Sequence, residues 1–154
     1  MPHIIEATLD NCLYVASDLR EADKQELQAV RGHSNFREIL KDGYRQSALT
    51  FCIKSDQGLP IAIYGGGTHP TQPHVGIPWM VSTPELLSIK TWFLRKTPWI
   101  VNSVQEHYPI LWNLIDVRNT VHINWLQFAG FQFGDIKESF GPENRPFQNF
   151  YRFR

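Results

Sequence analysis

The spacing of hydrophobic positions changes period several times along this chain, and each change marks an element. "HIIEATLD" (His3 to Asp10) alternates weakly and predicts a first strand. From Asn11 to Arg31 the spacing turns helical: Leu13, Ala16, Leu19, Leu27 and Val30 recur on one side, with "READKQE" as the solvent face. Asp10 or Asp18 is placed to cap this helix and Gly32 to stop it. A short polar helix over Phe36 to Lys41 follows, closed by Gly43. Ser47–Lys54 and Leu59–Gly66 predict a hairpin turning at "SDQG", and Val75–Ser82 a further strand beyond a Gly/Pro loop. Ser82 or Thr83 then caps a helix with Pro84 at its first position, which Pro98 is expected to break into two. Ile110–Asp116 reads as a buried strand. Asn119 is expected to cap a helix by accepting a backbone N–H, with Val121, His122, Trp125, Leu126 and Ala129 on one face and Gly130 as its left-handed stop. Strands over Phe131–Phe140 and Phe147–Arg154 finish the chain. The order βααβββααβαββ makes an α/β (α+β) protein, a mixed sheet flanked by helices, and no linker or repeat divides residues 1–154 into more than one domain.

Composition narrows the function classes. Hydrophobic residues make up 42% and charged residues 19%, as in a globular protein, and fifteen basic residues balance fifteen acidic ones. No net field draws this chain to nucleic acid or an anionic membrane. The uncharged stretch Gly58–Pro84 is too interrupted by Gly, Pro and His for a membrane span. Cys12 and Cys52, forty positions apart, read as buried thiols of a reducing compartment, and "MPHIIEATLD" has no signal-peptide pattern. His69 and His74 have no Cys or acidic partner nearby, so no metal is expected. The tail "NRPFQNFYRFR" mixes Arg with aromatic residues, but its alternation is that of a terminal strand more than of a nucleic-acid platform.

Three features together resemble the GNAT-type N-acyltransferases: the early helix ending "LREADKQELQAVRG", the strands before the first long helix, and the spacing in "NTVHINWLQFAGF", where Gly130 and Phe131 stand eleven and twelve positions after Asn119. More narrowly, "GIPWMVST", "FLRKTPWIV", "YPILWNLIDVRN" and "HINWLQFAGFQF" are similar to GNAT-like internal virion proteins of short-tailed bacteriophages. The resemblance implies a mostly antiparallel GNAT-like sheet. It also implies a site where the turn after the fourth strand binds the pyrophosphate of acetyl-CoA and the Asn contacts the pantetheine arm.

Two positions depart from that pattern. The family's Gln/Arg-x-x-Gly-x-Gly/Ala turn is replaced by "STPELLSIK", with no glycine, with Pro84 removing a donor and Glu85 setting a carboxylate beside the expected pyrophosphate. The family's acidic Tyr, seven positions after the Asn, is Leu126, which transfers no proton. A residual CoA site would rest on Ser82, Thr83, Ser88 and Asn119. Glu6, His74 and Asp116 are candidates for a general base, none selected by spacing. His122, on the apolar helical face, reads as a core histidine.

The resemblance therefore implies a non-catalytic protein of virion assembly or genome ejection, in the host bacterial cytoplasm or the virion, acting on phage virion proteins without a required cofactor. The alternatives are an acetyl-CoA-dependent N-acyltransferase and an effector that binds a host protein, with or without CoA as a ligand. Trp92, Phe93, Trp99 and Ile100 in the helix after Pro84 are expected to be buried between the sheet and the neighbouring helix, and to mark a contact surface wherever they are exposed.

Overall fold

The computed structural model describes all residues, 1–154. Seven strands form one sheet in the order β1-β2-β3-β4-β5-β7-β6. They are β1 (His3–Glu6), β2 (Leu49–Lys54), β3 (Pro60–Thr68), β4 (Val75–Ser82), β5 (Ile110–Asp116), β6 (Gln132–Phe140) and β7 (Arg145–Phe153). Every neighbouring pair is antiparallel except β4 and β5, which run parallel. The mixed, mostly antiparallel architecture is the expected one.

Both faces of the sheet are covered. On one face Cys52, Ile63 and Val81 pair across three strands and pack with Cys12, Val15, Ile39 and Leu40 from α1 (Leu9–Ala16) and α3 (Phe36–Gln46). On the other, Ala62, Tyr64, Leu111 and Ile115 meet Phe93, Ile100 and Val104 of α4 (Lys90–Gln105) and Leu126 of α5 (Thr120–Phe128). Cys12 and Cys52 are both free and buried.

The helices depart from expectation at several places. The single helix over Asn11–Arg31 is two, α1 and α2 (Glu21–Arg31), separated at Ser17–Arg20. Neither Asp10 nor Asp18 caps: Thr8 closes a capping box with Asn11, and α2 starts at Arg20 with no side-chain cap. Gly32 ends α2 in the left-handed region, as expected (φ 78°). α3 runs through Gly43 to Gln46.

Pro98 does not break α4, which is entered through a 3-10 turn at Pro84–Ile89. Phe93, Ile100, Val101 and Val104 are all buried on the two sides of Pro98. Burying four such side chains contributes roughly 1.5–3 kcal/mol each. That outweighs the cost of an internal proline, about 3 kcal/mol. The ring itself lies on the exposed side.

Asn119 precedes α5 but makes no side-chain cap bond. Val121, expected on the apolar face, is 62% exposed, whereas Leu126 is buried. Gly130 (φ 91°) does end the helix, with the Gly130 N–H donating to Gln127 and the Phe131 N–H to Leu126. β7 does not bury one alternating face: Phe147 and Phe150, three apart, are both buried because the sheet is covered on both sides.

Candidate functional site

The two parallel strands set the site. β4 and β5 pair at only two positions, Val75 with Ile110 and Gly76 with Leu111, and then diverge. Tyr108 packs on Gly76 so closely that a Cβ there would collide with its ring, which holds the closed end of the V together. Farther along, the strands are bridged by a side chain: Nδ2 of Asn113 donates to the Pro78 carbonyl at 2.8 Å.

At the open end, α2 lies across both strand ends. The last N–H of β4, on Ser82, donates to Oδ2 of Asp23 at 2.9 Å, and the Ser82 carbonyl accepts from the Arg20 N–H. The last N–H of β5, on Asp116, donates to Oε1 of Glu26 at 3.1 Å. Asp23 and Glu26 are three apart on α2, so their carboxylates lie on one side of the helix and reach one strand each. Asp23 is 3% exposed and held in a two-point pair by Arg20. The β6–β7 turn clamps the far end of α2, where Gly141 (φ 73°) approaches the Ala29 carbonyl too closely for any Cβ.

Burial shifts the ionisable groups in this wall. It pushes the Glu26 carboxyl up to about 7, aided by the charges of Asp23 and Asp116 and opposed by the hydrogen bonds from Asp116 and Asn119. Burial also pushes His122 down to about 4, with Asp23 opposing and Arg20 reinforcing. Asp116 is 1% exposed, and its burial acts to raise it, but hydrogen bonds and charge from Arg118 prevail and hold it below the usual carboxylate range.

Of the residues expected from the sequence, the V brings together Ser82, Asn119 and Asp116. Ser82 and Asn119 are each 2% exposed, and Ser82 Oγ and Asn119 Oδ1 are buried without a partner. The Asn119 amide donates weakly to Glu26 at 3.4 Å. Thr83 is directed elsewhere, its hydroxyl donating to the Ile61 carbonyl, and Ser88 is exposed, with its hydroxyl donating to the Glu85 carbonyl. Glu6 is exposed at the end of the edge strand β1, and His74 is exposed in the loop before β4. Neither lines the cleft.

Inside the V is a cavity of about 350 Å³, lined chiefly by hydrophobic side chains and by Glu26, Arg31, Asn113 and His122. Trp79 and Met80 line it without filling it. Trp112, the third bulky candidate for that gap, faces His69 and Asn149. Leu126, at the position of the family's Tyr, is part of the apolar wall. Between the end of β4 and α5, around Arg20, Asp23, Ser82 and His122, the remaining space is about 60 Å³.

Sequence reasoning missed Asp23 and Glu26, which lie within the segment read as a solvent face. A signal was available: two carboxylates three apart on a helix repel unless something between or beyond them uses the charge.

Solved structures share this architecture. The chain superimposes on a GNAT-family acetyltransferase from Bacillus anthracis with a TM-score of 0.72 at 9% identity, covering 99% of this chain and 94% of that one. A GCN5-related N-acetyltransferase from Kribbella flavida gives 0.72 at 12% identity, covering 99% and 98%. The ribosomal-protein-S18-alanine N-acetyltransferase of Escherichia coli gives 0.68 at 10%, covering 98% and 92%. No family model matches the sequence, and no curated protein does. The protein therefore has the GNAT acetyltransferase fold. At this identity the likeness defines the fold and leaves the activity to the site.

The residues at the open end do not fit CoA. The β4 N–H that would face the cofactor is held by Asp23, the turn beyond it contains Pro84 and Glu85 in place of glycines, and only the small space beside Ser82 remains. A pyrophosphate there would confront the Asp23 carboxylate with no free cation among the lining groups, because Arg20 is committed to Asp23.

Proposed function

We propose that this protein is a non-catalytic member of the GNAT-fold architecture that works through protein contacts, in virion assembly or genome ejection of a short-tailed phage. The observation that carries the reading is the occupation of both terminal N–H groups of the V by α2, Ser82 by Asp23 and Asp116 by Glu26. Catalysis by acyl transfer needs those strand ends open to a cofactor, and here the chain's own carboxylates hold them. The phage context rests on the sequence segments that resemble internal virion proteins. Contact surfaces for another virion protein are available on the helix after Pro84 and on the tail, where Leu87, Trp99 and Phe153 are 72%, 51% and 60% exposed.

Calorimetric titration with CoA and acetyl-CoA tests the reading. No heat of binding is expected at about 1 mM ligand, and no rise in melting temperature. Binding at about 10 μM would raise stability by about 2.7 kcal/mol at a hundredfold excess over the dissociation constant. That outcome would replace this reading with one of a transferase, or of an effector that holds CoA and binds a host protein. The observation that favours the second reading is the pair of unpartnered atoms, Ser82 Oγ and Asn119 Oδ1, which could meet a pantetheine amide.

A further inference from the structure

The cavity in the V has no role in a protein that works only by surface contacts. Its volume, about 350 Å³, falls in the range of small-molecule sites, roughly 300–1,000 Å³. It passes through the sheet, from Leu27, Ile39 and Leu40 on one side to Ile100, Val104 and Leu126 on the other. Most of its polar lining is already satisfied. Arg31 pairs with Asp42, and Asn113 donates to the Pro78 carbonyl while accepting from the Leu114 N–H. Besides Arg31, which is a third exposed and makes a single contact to Asp42, the groups left with hydrogen-bonding capacity are His122, whose ring contacts Trp125 edge-on, and the second oxygen of Glu26.

We propose that this cavity binds an uncharged lipophile bearing one carbonyl group, which accepts a hydrogen bond from Glu26. The inference rests on the reading that CoA does not occupy the V. Oε1 of Glu26 already accepts from the Asp116 N–H and the Asn119 amide, so the proton of the neutral acid resides on Oε2, where it is a donor. The raised Glu26 and depressed His122 keep both groups largely uncharged at about pH 5–6, between their values of about 4 and about 7. An anionic ligand would have Asp23 and Asp116 close by, whose cations Arg20 and Arg118 are both engaged in multidentate pairs, and the one cation of the lining, Arg31, is a third exposed to solvent and already paired with Asp42. A cationic ligand would leave water for an apolar wall, at a cost of several kcal/mol, to meet an acid that burial holds in its neutral form at that pH.

Displacement of the neutral fluorescent probe N-phenyl-1-naphthylamine from the purified protein at pH 6 tests this. Saturable binding of one probe per chain is expected, with octanamide displacing it at a concentration at least tenfold lower than octanoate or octylammonium. Gly43→Leu should weaken probe binding at least tenfold. Gly43 lines the cavity in a helical conformation, and a Cβ there points at the Trp79 ring at 3.8 Å without collision. Glu26→Leu should keep the probe and lose the preference for octanamide, which reads the hydrogen bond even if the glycine variant fails to fold. No saturable probe binding, or displacement led by octylammonium or octanoate, overturns the proposal. CoA separates the two readings: CoA that binds without displacing the probe defeats the non-catalytic function alone, and CoA that displaces it defeats both.

Discussion

Glu26 and His122 line one cavity and are displaced from their ordinary values in opposite senses, so their effects on stability oppose each other. Glu26 titrates near 7 in the folded protein and near 4.5 when exposed, so the native state holds the extra proton between those values. Its contribution is fully present below about 4.5 and is lost as pH rises through about 7. His122 titrates near 4 when folded and near 6.5 when exposed, so its contribution is present above about 6.5 and is lost as pH falls through about 4. Each shift corresponds to about 3 kcal/mol at most, since one unit is about 1.4 kcal/mol. Between pH 4.5 and 6.5 the two slopes nearly cancel, and the stability of the native chain should be flat there. Glu26→Gln should uncover the histidine, with stability rising with pH across that window. His122→Gln should uncover the acid, with stability falling. Urea melts at half-unit pH steps check both signs, and parallel profiles for the two variants would sink the assignment.

At the scale of elements, the strands were more legible in the sequence than the helices, for a physical reason. Val75–Ser82 and Ile110–Asp116 lie in the layer covered on both faces, so each is a short apolar run bounded by Gly, Pro or a charged turn, and both were placed to the residue. The helix break at Ser17–Arg20 escaped notice because Leu19, buried in the gap, keeps the apolar spacing going. Asp23 and Glu26 escaped because α2 is polar by composition, and only its position across the V turns that face inward. Asn119 was found, but its side chain faces Glu26 and caps nothing. Pro98 departs from the local rule because buried side chains on either side of it hold the helix together. That burial makes a prediction: Pro98→Ala restores a backbone donor in a helix that already exists. It should stabilise the protein by about 1–3 kcal/mol, raising the melting temperature by several degrees. An unchanged or lowered melting temperature would mean that the ring contributes packing that the alanine loses.

At the scale of the molecule, two half-sheets meet along one seam. β1 to β4 with the first four helices lie on one side, and β5 to β7 with α5 on the other. Their ladders join at two residue pairs. The rest of the seam is closed by side chains: Asp116 N–H to Glu26, Asn113 to Pro78, Trp125 to Thr97, and Gln105, whose amide donates to the Arg152 carbonyl while accepting from its guanidinium. No helix is long and apolar enough to cross a membrane, so these layers are not arranged around a helical span.

A seam of this kind makes the chain divisible. The turn Glu106–Pro109 is the one covalent link between the halves, and Glu106, His107 and Pro109 are exposed. A protein cut there should reassemble from pieces 1–107 and 108–154, recovering the circular dichroism and cooperative melt of the intact chain when the two are mixed. Pieces that stay apart would show that the polypeptide link, and not the clasp of α2, keeps the V closed. If they do rejoin, the same clasp makes this fold a natural split reporter, with the small cavity forming only where both pieces are present.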